Sequence, residues 1–183
     1  GYIAGLQQAL AAQNLASVVI NFRGCSGEPN RLARAYHAGD TDDLQFVYQS
    51  LRQRFPQRQM AAVGFSLGGN VLLKWLGEGR VGIELSAAGA VSVPLQLDEC
   101  ATRLDSGWSR IYRQYLLRDL KHYMHDKLDY LRQQGLAQEC EQLRRLGDLS
   151  RIRSFWEYDD QVVAPLHGFS GVDDYYRRSS ARQ

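Results

Sequence analysis

The first 95 residues alternate between two hydrophobic patterns. Apolar residues at helical spacing alternate with short, uncharged apolar runs that end at turn residues, which is typical of helices alternating with buried strands. The predicted helices lie at residues 2–13, between Thr41 and Phe55, and after Gly69, and the predicted strands lie at 17–22, 60–63 and 87–93. This alternation predicts an α/β fold with a parallel sheet, in which ligands bind at the carboxyl ends of the strands.

The second predicted strand and the helix after it are joined by a motif that can carry out chemistry. The sequence Gly-Phe-Ser-Leu-Gly places Ser66 at the apex of a sharp strand-to-helix turn. Gly64 and Gly68 keep side chains out of the bend, and Gly69 lets the helix pack closely on the strand. The pattern is typical of a nucleophilic serine, and the next residue, Leu67, offers its backbone N–H to an oxyanion. The alternative is a tight turn whose serine only caps the helix.

The pattern changes after residue 97. Up to about residue 149 the sequence is rich in Arg, Gln and Tyr, shows helical spacing and contains no strand pattern, so we expect helices with solvated charged faces. We interpret residues 96–168 as a helical lid that excludes water from Ser66 and selects the substrate. The alternative is an ordinary extra layer of helices. The partial core is then assigned to residues 1–95 and a return towards the core to residues 169–183.

Composition and charge argue against several classes of protein. The 22 basic and 20 acidic side chains give a net charge of +2, and the arginines are scattered, so we expect no nucleic-acid partner. No apolar run is long enough for a transmembrane segment, and no signal peptide opens the sequence. The three cysteines, Cys25, Cys100 and Cys140, match no metal-binding spacing and favour a reducing compartment, so we expect a cytoplasmic protein.

A nucleophilic serine needs a histidine as base and a carboxylate to orient that histidine. In this architecture the chain order is Ser, then Asp or Glu, then His. Asp160 and His167 follow Ser66 in that order, but seven residues are too few to connect the two separate strand ends that usually supply these groups. We therefore expect the catalytic Asp and His to lie beyond Gln183, and the sequence, which starts without Met, to be an internal fragment.

The other three histidines have simpler interpretations. His37 precedes the serine and lies beside a helix start, which favours a structural hydrogen bond. His122 and His125 are three residues apart next to Asp126, but the pattern offers no third ligand. We therefore expect no metal site.

Several longer motifs carry a family resemblance. They read NFRGCSGEPNR, YHAGDTDDL, VGFSLGGNVLLKWLGE, VSVPLQL, and APLHGF followed by DDYYRRSS. Together they resemble the YheT-type esterases of the α/β-hydrolase superfamily, with Ala38 at a position where that family more often has serine. The resemblance implies a Ser-Asp-His hydrolase of carboxylic esters, with acyl lipids among the substrates of some relatives. It implies Ser66 as the nucleophile and the Leu67 N–H as half of the oxyanion hole, the other half being supplied by a loop that precedes Gly1.

The resemblance also implies a sheet order of 1-2-4-3-5-6-7-8, in which the three predicted strands are the fourth, fifth and sixth. The third strand, which pairs with both the fourth and the fifth, is then missing from this chain, together with the other N-terminal and the C-terminal strands. Unpaired strand edges promote aggregation. We therefore predict that the chain by itself is unstable and inactive and that the full-length protein is active.

Taken together, the sequence predicts a serine hydrolase that cleaves small-molecule carboxylic esters through an acyl-enzyme on Ser66, without a metal or an organic cofactor. An acyltransferase or thioesterase that uses the same turn remains an alternative, distinguished by whether an alcohol or water captures the acyl group. A non-catalytic scaffold whose helical region binds a partner protein is a second alternative. Its serine is not activated, so a fluorophosphonate does not label it.

Overall fold

The computed structural model describes residues 1–182 and has a mixed α/β architecture. Its first half contains two strands and three helices, and its second half is helical. The elements are α1 (Tyr2–Ala12), α2 (Asp42–Arg54), β1 (Ala61–Phe65), α3 (Leu67–Gly77), β2 (Ala87–Val91), α4 (Leu97–Leu104), α5 (Ser109–Gln133), α6 (Ala137–Arg144), α7 (Phe155–Tyr158), α8 (Ala164–His167) and α9 (Val172–Ser179). A 3₁₀ turn lies at Leu149–Arg151, and a π-helical segment at Asp159–Val163 joins α7 to α8.

The sheet consists of β1 and β2, which pair in parallel and are connected through α3. Ala61 lies opposite Ala87 and Phe65 opposite Val91, so the carboxyl ends of both strands lie at the same edge. The two strands confirm the predictions at 60–63 and 87–93, with their ends shifted by one or two residues. The sequence of β2 is apolar on both faces, as expected for a buried strand, but four of its five residues are exposed, so the expectation of burial is wrong for this structure.

The strand predicted at 17–22 is not present, and that prediction is wrong for this structure. Within residues 1–182 the segment has no ladder partner, and Val18 and Ile20 are 61% and 42% exposed. A strand is stabilised by hydrogen bonds to a neighbouring strand and by apolar contacts on its faces. The apolar run satisfies neither condition here, because no strand lies beside it.

A small apolar cluster joins α2 to α3. Tyr48, Leu72 and Trp75 are buried together, and the rings of Tyr48 and Trp75 lie 5.2 Å apart. α2 ends at Arg54, just before Phe55, as predicted, and no side-chain hydrogen bond caps its start. The Thr41 hydroxyl instead donates to the Glu78 carboxylate at the end of α3, which ties the two helices together a second time.

A larger apolar cluster fills the helical second half and includes Ala33 and Ala38 from the loop before α2. The prediction of helices without strands after residue 97 is confirmed for the described residues. The prediction that the charged residues of this stretch face solvent is wrong for two of them. Arg113 is buried and pairs with Asp105, and Lys127 is buried with its ammonium bonded to the Asn30 side chain. Buried cations persist where such partners replace water.

The helical region begins and ends at one place, which we call the stem and define as residues 95–97 and 179–182. The Arg182 N–H donates to the Leu95 carbonyl oxygen at 3.1 Å, and the Leu97 N–H donates to the Ser180 hydroxyl at 3.1 Å. The region therefore leaves the β2 end of the fold and returns to the same point. Within residues 1–182, none of these helices is both long and apolar enough to cross a bilayer.

Candidate active site

Ser66 lies between the last residue of β1 and the first residue of α3, and it is exposed. Its backbone has φ 48° and ψ −123°, a conformation that L-residues rarely adopt. The Ser66 N–H donates to the Val91 carbonyl oxygen at 2.8 Å, so the turn is fastened to the end of β2. Strained residues of this kind persist only where the surrounding structure holds them, and they concentrate at functional sites.

Close packing explains two of the glycines around Ser66. A Cβ on Gly64 would lie 2.5 Å from the Gly68 carbonyl oxygen, and a Cβ on Gly69 would lie 2.5 Å from Val93 Cγ2. Both positions therefore exclude a side chain. A Cβ on Gly68 would meet only the Phe22 ring, at 4.0 Å, which is an ordinary contact.

The backbone groups that follow Ser66 divide into two sets. The Ser66 carbonyl oxygen accepts from the N–H groups of Gly69 and Asn70, at 2.9 and 3.2 Å. The Leu67 N–H makes no hydrogen bond within residues 1–182, and it lies at the positive end of the α3 dipole. Such a group can stabilise an oxyanion. The Ser66 side chain does not cap α3, so the alternative of a purely capping serine has no support in the geometry.

The structure does not assemble a triad from Ser66, Asp160 and His167. Within residues 1–182 no hydrogen bond joins Asp160 to His167 or Ser66 to a histidine. The Asp160 carboxylate instead accepts from the Val172 N–H at 3.0 Å. His167 packs against His37, with 4.5 Å between ring centroids.

The two histidines that meet are both neutral at pH 7. Burial, followed by the neighbouring His167, lowers the pKa of His37 to about 3, and burial, followed by the charge of Arg34, lowers the pKa of His167 to about 4. His37 Nδ1 accepts from the Gly39 N–H at 3.1 Å, which confirms the structural hydrogen bond expected for this residue.

His122 and His125 lie on the exposed side of α5 and contact carboxylates of the same helix. His122 lies 3.3 Å from Asp126, and His125 lies 3.7 Å from Asp129. Among the residues that the structure describes, no group of three metal-binding side chains comes together here or elsewhere.

Two polar residues near this part of the fold were not found from the sequence. Asn70, in the first turns of α3, is 0% exposed and bonds to three backbone groups. Asp159 accepts a hydrogen bond from the Tyr176 hydroxyl at 2.6 Å, and burial raises its pKa to about 7. The sequence contained a hint for Asn70, since it is a polar residue directly before the apolar stripe of its helix. Nothing in the sequence distinguishes Asp159 from the neighbouring Asp160.

Comparison with known proteins finds relatives over most of the chain. It is 38% identical over 180 residues to the "Putative esterase YheT" of Escherichia coli, which covers 98% of the chain and 51% of that protein. It is 28% identical over 165 residues to the monoacylglycerol lipase of Saccharomyces cerevisiae, covering 89% of the chain and 36% of that protein. It is 26% identical over 163 residues to human phospholipase ABHD3, covering 89% of the chain and 38% of that protein.

No protein-family model matches the chain, and no solved structure gives a match. The chain spans about half the length of the YheT protein and a smaller share of the other two relatives. The similarity extends over both the strand-containing half and the helical half, and a Dictyostelium discoideum abhydrolase domain-containing protein shows it over 96% of the chain. This chain is therefore related, over almost its whole length, to the YheT-type esterases of the α/β-hydrolase superfamily.

Proposed function

We propose that Ser66 is the nucleophile of a serine hydrolase that cleaves carboxylic esters, acyl lipid esters among them. One observation carries the proposal: an exposed serine with left-handed φ lies where a parallel strand ends and a helix begins, with an unbonded N–H on the next residue. The relatives support the same chemistry, because their names include an esterase, a monoacylglycerol lipase and a phospholipase.

The proposed reaction has two steps. Ser66 Oγ attacks the ester carbonyl carbon and gives its proton to an imidazole, while the carbonyl oxygen becomes an oxyanion that accepts from the Leu67 N–H. The C–O bond to the alcohol breaks, and the alcohol leaves with that proton. Water then attacks the acyl carbon and gives a proton to the same imidazole. The bond between that carbon and Ser66 Oγ breaks, Oγ takes the proton from the imidazole, and the carboxylic acid leaves. We propose that the imidazole and its carboxylate come from residues that follow Gln183 in the full-length protein.

We also propose that residues 96–168 form a lid over Ser66, between a core at 1–95 and a return to the core at 169–183. The support is the location of the apolar contacts. The cluster inside the helical region includes Ala33, Ala38 and Leu67 but neither strand. Leu67 directly follows Ser66, and the Ala38 carbonyl is bonded to Asn70 in the same turn of α3, so the helices contact the fold beside Ser66, where a cover can exclude water.

The experiment compares two serines of the full-length protein. Ser92 also has left-handed φ, 54°, and also follows a parallel strand, so it is a matched control. We expect Ser66→Ala to abolish fluorophosphonate labelling and to lower p-nitrophenyl butyrate turnover by at least about 10³-fold. We expect Ser92→Ala to retain the labelling and the turnover of the parent protein within a factor of a few. Labelling that persists in Ser66→Ala would contradict the proposal.

The acceptor of the acyl group separates a hydrolase from an acyltransferase. Turnover is measured with increasing glycerol, and the acid and the transferred ester are quantified separately. We expect the free acid to remain the main product. A product that is mainly the new ester would favour the acyltransferase.

A further inference from the structure

Asn70 is a buried polar side chain of α3 whose amide nitrogen and amide oxygen are both hydrogen-bonded. Its Nδ2 group donates to the carbonyl oxygens of Ala38 and Ser179, at 2.9 and 2.8 Å. Its Oδ1 atom accepts from the Ala181 N–H at 2.9 Å. The residue is 0% exposed, so no bulk water competes for these bonds. One amide therefore joins the loop before α2 to two residues of the stem.

The main chain of the same residue contacts Ser66. The Asn70 N–H donates to the Ser66 carbonyl oxygen at 3.2 Å. Asn70 is the fourth residue of α3, so its side chain holds the same first turn of the helix that begins with the Leu67 N–H. The Ser66 turn and the stem thus meet in a single residue.

The surroundings of Asn70 leave little room for an alternative arrangement. Ser179 and Ser180 are 1% and 4% exposed, and a Cβ on Gly39 would lie 2.6 Å from the Ser179 hydroxyl oxygen. The stem, the Gly39 loop and α3 are therefore in direct contact. A buried donor that loses its partner at such a site remains unsatisfied, because water cannot replace the partner without displacing the neighbours.

We propose that Asn70 is a positioning residue that anchors the stem, and through it the helical region, to the turn of Ser66. The proposal rests on the proposed function for its kinetic part only. Asn70 acts through Ser66 and the stem and does not contact the substrate. A long acyl chain that extends beneath the helical region depends on the anchor, whereas a short ester needs only the Ser66 turn.

The test uses a variant that keeps the shape of the side chain. Asn70→Asp retains an acceptor for the Ala181 N–H, but it places carboxylate oxygen against two carbonyl oxygens where Nδ2 donated. Leu72→Ala is the matched control, because Leu72 is also buried on α3 but packs with Tyr48 and Trp75, away from the stem. Both substitutions are expected to destabilise the fold. An effect seen in Asn70→Asp but not in Leu72→Ala therefore reports the loss of the bonds between Asn70 and the stem.

Two quantities are measured in the full-length protein. The first is the ratio of kcat/KM for p-nitrophenyl palmitate to kcat/KM for p-nitrophenyl acetate. We expect Asn70→Asp to lower this ratio at least tenfold, mainly through KM for the palmitate, and Leu72→Ala to change it less than twofold. The second is amide hydrogen exchange at residues 179–182, which should accelerate at least tenfold in Asn70→Asp and not in Leu72→Ala.

Equal changes of the ratio in the two variants, or unchanged exchange at 179–182 in Asn70→Asp, would overturn the proposal. If Asn70→Asp does not fold, Ala181→Pro removes the N–H that donates to Asn70. Ser180 has φ −64° and ψ 140°, a backbone that a following proline tolerates. We expect Ala181→Pro to lower the kcat/KM ratio and to accelerate exchange at residues 179–182 as Asn70→Asp does, and the absence of either effect would overturn the proposal. A parent protein that hydrolyses no ester would refute the proposed function, while the exchange measurement would still decide whether Asn70 anchors the stem.

Discussion

Ser66 and Ser92 share an unusual backbone, since both have left-handed φ without being glycine. Each follows a strand of the parallel pair, so strain is concentrated at the sheet edge where ligands bind in α/β folds. Such conformations cost about 1–3 kcal/mol each. At Ser66 the hydrogen bond to Val91 and the packing of two glycines hold the strained turn in place. The backbone that carries the exposed hydroxyl is therefore held in place before any substrate binds.

The packing at Gly64 makes a direct prediction. Gly64→Ala would place a Cβ 2.5 Å from the Gly68 carbonyl oxygen, a backbone atom that cannot move without distorting the Ser66 turn. We expect a loss of about 2 kcal/mol or more in unfolding free energy and at least about a hundredfold loss of ester turnover in the full-length protein.

The control for this prediction is Gly77→Ala at the other end of α3, where a Cβ meets nothing within 4 Å. It should be neutral or stabilising by up to about 1 kcal/mol. Thermal denaturation of the two variants, with ester turnover, checks both expectations. Equal stability of the two variants would show that the Ser66 turn is more open than described.

At the residue scale, the sequence was sufficient to predict the strand-to-helix turn at Ser66 and the close packing at Gly64 and Gly69, because a strand-like run and an apolar helical stripe flank the motif. It was wrong for Gly68, where a Cβ would meet only an ordinary contact. It was not sufficient for Asn70. The partners of that side chain are backbone groups of residues 38, 179 and 181, and only the folded chain brings them together. Hydrogen bonds between distant residues leave no spacing that a single sequence can show.

The π-helical segment between α7 and α8 supports a prediction at the scale of elements. It contains Asp159, whose carboxylate is held by Tyr176 of α9 and whose pKa is raised to about 7 by burial. The folded state binds this proton more tightly than the unfolded state. Stability is therefore lost as pH rises from about 4 to about 7, at an upper limit of about 1.4 kcal/mol per pH unit.

Asp159→Asn removes this titration and keeps an acceptor for the Tyr176 hydroxyl. We expect the melting temperature of the variant, minus that of the parent, to be several degrees higher at pH 8 than at pH 5. The histidines with lowered pKa act in the opposite direction, but they are present in both proteins and cancel in the difference. Asp160→Asn is the comparison variant, since it removes one negative charge from the exposed side chain next to Asp159. A pH-independent difference for Asp159→Asn would contradict the prediction.

At the scale of elements, helices were predicted better than strands. The apolar stripe of α3 lies within one element, so the sequence contains the information that forms it. The apolar run at 17–22 contains more β-branched residues than β2, but it forms no strand, because a strand also needs a neighbour. The burial of Lys127 could not be predicted either, because it depends on a partner that is distant in the sequence. Its partner Asn30 is 97 residues away, and local spacing could not reveal it.

For the whole molecule, we predict that the 183-residue chain is neither stable nor active by itself. Apolar side chains at Val18, Val19 and Ile20 are 42–61% exposed, and within residues 1–182 only two strands pair. Open strand edges with apolar neighbours promote association. We expect the isolated chain to elute as aggregates and to turn over p-nitrophenyl butyrate no faster than its Ser66→Ala variant, while the full-length protein is active. A monomeric chain with Ser66-dependent turnover would refute this prediction.

The two apolar clusters of the molecule share no buried residue. One joins α2 and α3 behind the sheet, and the other fills the helical half, with hydrogen bonds through Asn70 and the stem between them. Apolar contacts, which supply most of the cooperativity of folding, are therefore divided into two sets. Heat can melt the helical half while the strand-containing half persists, so we expect two overlapping calorimetric transitions for the full-length protein. Their separation depends on the bonds through Asn70 and on the contacts of Ala33, Ala38 and Leu67 with the helices.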